Sequence, residues 1–202
     1  MQTLTKPGLS TELVEQITKE YSDQISGKKI YVLMGASGSG KTTVGNMLKK
    51  FGIPEIISHT TRAMREGEVE GETYYYISKE EFEQIEKIEA VQYGSNFYCI
   101  SKMEIENKFK GNDKLFVICD VNGMEQVKNS YPEQVVVIYL YTSLEEMERR
   151  MRVRGDSEEN IQQRLIYANE TNELDNGKYA DHRIENRDLE QTKRQVMDIV
   201  LQ

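Results

Sequence analysis

The sequence predicts an α/β fold with a mostly parallel sheet. Short, continuous apolar runs at residues 30–34, 115–121 and 135–141 are typical of parallel strands buried on both faces. A glycine-rich turn follows the first run, and residues 42–51 then have helical spacing. Strands that alternate with helices in this way form a parallel sheet with helices packed on its faces.

The length and charge of the chain limit the classes of partner that we expect. A chain of 202 residues is long enough for one domain with inserted subdomains. It carries 34 acidic against 26 basic residues, a formal net charge of −8. We therefore expect neither nucleic acid nor an anionic membrane surface as a general partner, and any polyanionic ligand needs a local basic pocket. No apolar stretch approaches 18 residues, so no membrane span is predicted.

The two cysteines, Cys99 and Cys119, exclude a disulfide scaffold and a four-cysteine zinc site. Both lie in apolar, strand-like runs, so we expect buried free thiols and a reducing compartment. Residues 1–10 lack the apolar core of a secretory signal. The expected location is the cytoplasm.

Four further helices are predicted. Residues 10–25 place apolar side chains four apart and predict an amphipathic helix. Ser78 begins a capping box whose helix is expected to reach about Ile88, and Ser143 begins another. Asp156 is expected to cap the helix that follows.

The strongest motif is G-x-x-x-x-G-K-[ST] at residues 35–42, between a predicted strand and a predicted helix. Glycines let successive backbone N–H groups point at phosphate oxygens, and the helix adds its positive end. Lys41 is expected to reach the β- and γ-phosphates, and the Thr42 hydroxyl to ligate Mg²⁺. The alternative, a turn that only joins strand to helix, is disfavoured by the correct flanks. The predicted ATP-binding residues here are Gly35, Ala36, Ser37, Gly38, Ser39, Gly40, Lys41, Thr42 and Thr43.

This loop indicates a nucleoside triphosphate and leaves the reaction open. A regulatory GTPase needs Asn-Lys-x-Asp to recognise guanine, but Asn107-Lys108 is followed by Phe109-Lys110. A phosphotransferase or an ATPase remains.

A second phosphate site is predicted by Arg62 and Arg65, which are spaced to clamp one phosphate. Around them, residues 58–74 follow Ser-x-Thr-Thr-Arg-x-x-Arg-x-Gly-Glu-x-x-Gly-x-x-Tyr, and this segment closely resembles guanylate kinases. Met64 stands where that family usually has proline. Further segments resemble the family: 88–89, 96–98, 119–123, 150–155 with Arg164, and 184–186. The resemblance covers about residue 30 to the C-terminus.

The resemblance implies a role for each matching residue. The acceptor's phosphate would be held by Arg62, Arg65, Tyr74 and Tyr98, and its guanine by Ser58, Glu89 and Asp120. Lys41, Arg150, Arg154 and Arg164 would act on the transferring phosphoryl group, and Asn186 would lie beside the adenine of ATP. The implied fold is a P-loop nucleoside monophosphate kinase core with an inserted acceptor-binding subdomain and a lid. The expected division is an N-terminal helical extension at 1–27, a core at 28–57, 99–147 and 164–202, a GMP-binding subdomain at 58–98, and a lid at 148–163.

The charge requirements of phosphoryl transfer fit these roles, since catalysis there consists of positioning and of neutralising charge on the phosphoryl oxygens. Arg149 and Arg152 are better explained as a solvated helix face paired with glutamates. Asp120 is also suited to a simple cap at a strand end.

Three departures from the family matter: two concern the acceptor, and the third, at Ile118, is expected to alter the placement of water or Mg²⁺. Ile100 stands where a hydroxyl would donate to guanine, Ile118 replaces an aspartate, and the helix after Tyr74 is about one turn short. Guanine is still expected to be preferred, because Glu89 and Asp120 remain and adenine would face them with an acceptor. Ile100→Ser is expected to lower the KM for GMP. Ser101 is a possible substitute hydroxyl, although adjacent strand residues point to opposite faces.

Three hypotheses follow. The first is Mg²⁺-dependent transfer of phosphate from ATP to GMP. The second is a kinase of the same build acting on another small phosphorylated acceptor. The third is a non-catalytic guanylate-kinase-like binding module, which the intact Gly40-Lys41-Thr42 disfavours. The oligomeric state is left open.

Overall fold

The computed structural model describes residues 25–202. The helix predicted over 10–25 therefore lies outside the described residues except for Ile25. That side chain is buried in the main apolar cluster, and its carbonyl accepts a hydrogen bond from the Lys28 amide at 3.0 Å. Among the described residues, no helix combines the length and apolar character needed to span a bilayer.

The elements alternate as predicted, and the α/β fold class is confirmed. In chain order they are β1 (Lys29–Met34), α1 (Lys41–Lys50), β2 (His59–Thr60), β3 (Tyr75–Tyr76), α2 (Lys79–Gln84), β4 (Lys87–Tyr93), β5 (Asn96–Ser101), α3 (Lys102–Phe109), β6 (Lys114–Ile118), α4 (Val121–Ser130), β7 (Val135–Tyr141), α5 (Leu144–Arg154), α6 (Glu158–Glu170), a 3₁₀ helix (Glu173–Tyr179), β8 (His182–Glu185) and α7 (Leu189–Val200).

The central sheet of the described chain has the order β6-β1-β7-β8 and is parallel throughout. Because strand side chains alternate between faces, Ile30 and Val32 join one apolar cluster, while Tyr31 and Leu33 join a second cluster under α1 and α7. Both faces are thus covered, as continuous apolar strands require.

Two strand predictions need correction. The run predicted over 115–121 ends as a strand at Ile118, because Asp120 caps α4 and Val121 already belongs to that helix. Strand β8 was not predicted, since Ile184 is buried but its neighbours in the strand are polar or charged.

A second sheet lies between residues 59 and 101, with the order β3-β2-β5-β4. Ser78 forms the predicted capping box with Glu81, but α2 ends at Gln84 rather than near Ile88. From Lys87 onward the residues that follow α2 form β4, which pairs with β5 in antiparallel orientation. The boundaries expected for the subdomain and the lid stay predictions.

The caps near α5 and α6 differ in part from expectation. Ser143 caps α5 by accepting from the Glu146 amide. The predicted Asp156 cap is wrong: Ser157 accepts from the Asn160 amide and caps α6, while Asp156 forms an ion pair with Arg154.

Candidate active site

The phosphate loop connects β1 to α1 at the carboxyl edge of the parallel sheet, where ligands bind in open α/β folds. Gly35, Gly38 and Gly40 all have positive φ, at 142°, 83° and 103°. A Cβ added at Gly35 would lie 2.1 Å from the Leu140 carbonyl oxygen. The loop therefore needs glycine for its backbone conformation and for its close packing.

Lys41 is held against the loop itself. Its Nζ donates to the carbonyl oxygens of Gly35 and Ala36, at 2.5 and 3.0 Å. Burial lowers the pKa of this amino group, and Glu173 opposes that effect. The ammonium thus has a carboxylate near it and two carbonyl partners that a triphosphate can replace.

The side chain of Asn186 holds the phosphate loop in place through hydrogen bonds. Its side chain is 1% exposed. Nδ2 donates to the Ser39 carbonyl at 2.7 Å, and Oδ1 accepts from the Thr192 hydroxyl at 3.0 Å. Both ends of the amide are engaged with the protein, so the side chain supports the loop. Its implied position beside adenine stays a prediction.

The predicted donor-site arginines meet around one cavity of about 510 Å³. Arg150 donates to the Gly38 and Asn186 carbonyls, at 3.4 and 2.7 Å, and Arg164 donates to the Ser37 hydroxyl at 2.8 Å. Arg154 lines the same space. The structure thus brings together Ser37, Gly38, Gly40, Lys41, Thr42, Thr43, Arg150, Arg154 and Arg164.

The other two arginines of α5 face outward, as expected. Arg149 pairs with Glu146, and Arg152 pairs with Glu148 and Glu158. Exposed pairs of this kind contribute little to stability.

Arg62 is held by Glu68. Its two guanidinium nitrogens donate to the two Glu68 oxygens at 3.0 and 2.7 Å, and the Arg65 amide donates to the same carboxylate at 2.7 Å. Arg62 holds the pKa of Glu68 down at about 2. The guanidinium lies 5.5 Å from the Tyr74 ring centroid, and the Tyr74 and Tyr98 rings are 5.8 Å apart. The predicted phosphate-binding residues are thus grouped, and Glu68 orients the central one.

At the predicted guanine site, Glu89 and Asp120 lie near enough for the charge of Asp120 to act on Glu89. Burial, followed by the charge of Asp120, raises the pKa of Glu89 to about 7, although the Ile100 amide donates to it. Asp120 also accepts from the Gly123 amide at 2.9 Å, so it is both the expected cap and a site carboxylate. Ser58 is half-buried at the start of β2, and its carbonyl accepts from Tyr75.

The departures from the family are packing residues. Ile100 is 1% exposed and belongs to the main apolar cluster. Ser101 is 0% exposed beneath α3, where its Oγ accepts from the Glu104 amide and caps that helix, so its hydroxyl is not offered to a ligand in the cleft. Ile118 packs toward α1, with Cδ1 3.4 Å from the Cβ position of Gly45.

Two functional candidates were missed. Glu68 sits in the Gly-Glu step of the second motif, which was a usable signal. Glu173 had no motif to mark it, yet it lines a cavity of about 440 Å³ together with Gly35 and Asp120. Burial raises the pKa of Glu173 while Lys41 lowers it.

The donor site fits Mg²⁺ bound largely through a substrate. Within residues 25–202, no three His, Cys, Asp or Glu side chains converge as a metal site. Mg²⁺ usually keeps several waters and takes few protein ligands besides substrate phosphates. Thr42 lines the donor cavity and is placed to offer a hydroxyl oxygen.

A phosphate loop on a parallel sheet, a basic cavity beside it and an arginine–tyrosine group on an inserted sheet define a P-loop phosphotransferase of the nucleoside monophosphate kinase class. The family model described as guanylate kinase matches residues 27–202, and the chain belongs to the guanylate kinase family.

Individual relatives agree. The chain is 38% identical over 177 residues to a guanylate kinase of Fusobacterium nucleatum, covering 85% of this chain and 95% of that protein. It is 37% identical over 174 residues to a guanylate kinase of Trichormus variabilis, covering 82% and 85%. Among solved structures, a guanylate kinase from Anaplasma phagocytophilum superimposes with a TM-score of 0.62 at 29% identity, covering 86% of this chain and 84% of that one.

Proposed function

We propose that the chain transfers the γ-phosphoryl group of ATP to GMP or dGMP, giving ADP and GDP or dGDP, in purine nucleotide metabolism. One observation carries the proposal. A single cavity extends from Gly35 of the phosphate loop to Asp120, whose charge acts on the nearby Glu89. A phosphate donor at the loop and a purine held by the two carboxylates would therefore share one cleft.

Guanine selectivity would depend on Glu89 and Asp120. Guanine presents an N1–H and an exocyclic amine, both donors, and carboxylate oxygens accept from them. Adenine places an acceptor at N1, so a buried carboxylate would be left without its hydrogen bond. Arg62, with Arg65, Tyr74 and Tyr98 around it, would hold the phosphate of the same acceptor.

Phosphoryl transfer requires that the two nucleotides are correctly positioned and that positive charge faces the transferring phosphoryl group. Lys41, Arg150, Arg154 and Arg164 surround the donor cavity, where charge develops on the transferring oxygens. The acceptor oxygen is already anionic, so no general base is obligatory. Mg²⁺, with Thr42 as a protein ligand, would neutralise charge on the β- and γ-phosphates. Closure around both nucleotides would exclude water and so suppress ATP hydrolysis.

The second candidate function is the same transfer to another phosphorylated acceptor. Ile100 favours it, since this buried side chain offers no hydroxyl to guanine. ADP release, measured with GMP, dGMP, AMP, CMP, UMP and sugar phosphates, separates the two. The fastest turnover is expected with GMP or dGMP; faster turnover on any other acceptor refutes the guanine assignment.

The proposed location is the cytoplasm. Both cysteines are free, and burial raises the pKa of Cys99 to about 11. Unreactive, unpaired thiols suit a reducing compartment.

A further inference from the structure

A second opening of the cleft lies between the β4–β5 hairpin and α6. It is a cavity of about 560 Å³ with Tyr93 on the hairpin side and Tyr167 on the helix side. The hairpin also carries Glu89 and Tyr98 of the acceptor site, and α6 carries Arg164 of the donor site. One wall of this opening therefore carries acceptor-site residues, and the other wall carries a donor-site residue.

On the hairpin, Tyr93 continues the face that carries Glu89. Every second side chain of a strand points to the same side, so residues 89, 91 and 93 share one side of β4. Tyr93 pairs with Asn96 as the last pair before the turn, and the side-chain Nε2 of Gln92 donates to the Gly94 carbonyl at 2.9 Å within that turn. Tyr93 is thus held at the end of a tight hairpin, and it is 80% exposed.

On α6, Tyr167 continues the face that carries Arg164. Asn160, Gln163, Arg164 and Tyr167 stand at i, i+3, i+4 and i+7, which places them on one side of a helix. All four line the opening. Tyr167 is 62% exposed, one turn away from the guanidinium that reaches Ser37.

Two large aromatic side chains thus remain mostly in water on opposite walls of one cavity. Their mutual burial would remove apolar surface from water and add a favourable ring–ring contact. Neither ring has a role assigned above, although Tyr167 also lines the cavity that extends from Gly35 to Asp120. Movement of the hairpin toward α6 would bring the rings together and close the opening.

We propose that Tyr93 packs against Tyr167 when both nucleotides are bound, and that this contact positions Arg164 for the transfer. The proposal rests on the proposed function, because it needs two substrates to draw the walls together. Both tyrosines are positioning residues: they act through α6 and the hairpin and do not touch the reacting phosphoryl group.

A tryptophan at 93 reports the contact directly, since the chain contains no tryptophan. Tyr93→Trp is titrated with ADP, with GMP and with both, a combination that lacks the γ-phosphoryl group that the proposed reaction transfers. Its emission is expected to shift to shorter wavelength only with both. Phe51→Trp, an exposed position at the end of α1, is the matched control and is expected to stay unchanged. Unchanged emission of Tyr93→Trp with both nucleotides overturns the proposal.

Turnover provides the second test. Tyr93→Ala and Tyr167→Ala are each expected to lower kcat about tenfold, or about 1.4 kcal/mol. The double variant is expected to be no slower than the singles, because one contact is lost in all three. Tyr93→Phe is expected to retain turnover, and Phe51→Ala is the unaffected control. Independent, multiplied losses in the double variant refute the contact.

The outcomes separate this inference from the function it rests on. A native chain that fails to phosphorylate GMP or dGMP contradicts the proposed function. A native chain that does so, with Tyr93→Ala equally fast, contradicts only the contact.

Discussion

The donor and acceptor sites are built in different ways. The donor site consists of backbone turns fixed by a buried amide, with Asn186 joined to both Ser39 and Thr192. The acceptor site consists of side chains on a small sheet, and its central arginine is held by one carboxylate. A backbone site tolerates almost no substitution at its glycines, whereas a side-chain site can exchange one group for another. This difference fits two of the three departures from the family, Ile100 and the short helix after Tyr74, which lie on the acceptor side, whereas Ile118 packs toward α1.

The largest effect is expected at the donor site, from Lys41→Ala. The variant loses the cation that faces the transferring phosphates, and kcat is expected to fall by at least about 10²–10³-fold with the fold intact. Steady-state ADP release with circular dichroism measures this. Lys50→Ala, exposed at the end of α1, is the matched control. Full activity of Lys41→Ala contradicts the donor assignment, and no turnover in the native chain supports the binding-module hypothesis.

Asn186→Ala tests whether the loop depends on its buried support. The change removes the Asn186 donor from the Ser39 carbonyl and one of the two acceptors of the Thr192 hydroxyl, which keeps the Asp188 carbonyl at 2.9 Å. The expected cost is about 1–3 kcal/mol in the free energy of unfolding. The Tm is expected to fall by about 2–4 °C for each kcal/mol, and the KM for ATP to rise while that for GMP does not. Thr192→Val removes the hydroxyl's bonds to Asn186 and to the Asp188 carbonyl but keeps the Asn186–Ser39 bond, so its KM for ATP should rise less. Equal rises in both KM values would argue against a local role.

In the acceptor site, Arg62→Lys keeps the charge and removes the two-pronged geometry. The KM for GMP is expected to rise about tenfold with kcat little changed, since the loss of a charge-assisted hydrogen bond is worth about 1.5–3 kcal/mol and the retained charge offsets part of it. Arg149→Lys, on the solvated face of α5, is the control. A fall in kcat without a change in KM would place Arg62 with the donor residues.

Glu89 predicts a pH dependence specific to the acceptor. Its pKa of about 7 means that it is largely protonated in mild acid, and only the carboxylate accepts both guanine donors. The KM for GMP is therefore expected to fall as the pH rises through about 7, and Glu89→Gln should flatten that profile at a higher KM.

The raised pKa of Glu89 also affects stability: as the pH rises, substrate binding is expected to improve while the folded state loses stability. In the unfolded chain the carboxyl returns to its ordinary lower pKa, so between that value and about 7 the unfolded state releases the proton first. Glu89 therefore lowers the free energy of unfolding progressively as the pH rises across this window. Thermal melts of the native chain and of Glu89→Gln should diverge there. Parallel melts would mean that Glu89 titrates normally.

The smallest effect is expected from Ile100. Threonine restores a hydroxyl and keeps the β-branched shape that the buried strand position needs, whereas serine would also leave a void. Ile100→Thr is expected to lower the KM for GMP by about 2–10-fold, the worth of one hydrogen bond. Ile100→Val is the matched control without a hydroxyl. Equal KM values for the two variants would mean that the base is recognised differently from the family.

The elements that the sequence predicted correctly are those with a local, continuous signal. Strands β1 and β7 are continuous apolar runs, and the phosphate loop is a contiguous motif, so local patterns were sufficient for them. Strand β8 was missed because a single buried residue, Ile184, carries its apolar signal. Helix α2 was predicted too long because the polar residues after it gave no sign of the strand pairing that takes them up.

The missed parts of the site depend on contacts that no local pattern records. Glu173 approaches Lys41 from a 3₁₀ helix far along the chain, and Asp156 pairs with Arg154 instead of capping α6. The resemblance placed Asn186 beside adenine, and only the fold revealed that its amide is already bonded to Ser39 and Thr192.

The Asn186–Ser39 hydrogen bond joins residues 147 positions apart. During synthesis, the glycine loop leaves the ribosome early and its supporting amide leaves much later. A growing chain that ends within β7 would contain the whole phosphate motif but not the group that fixes it. Unfinished chains would thus be poor nucleotide binders. The Cβ position of Gly40 is 2.1 Å from the Asn186 side-chain nitrogen, so Gly40 cannot gain a side chain while Asn186 stays in place.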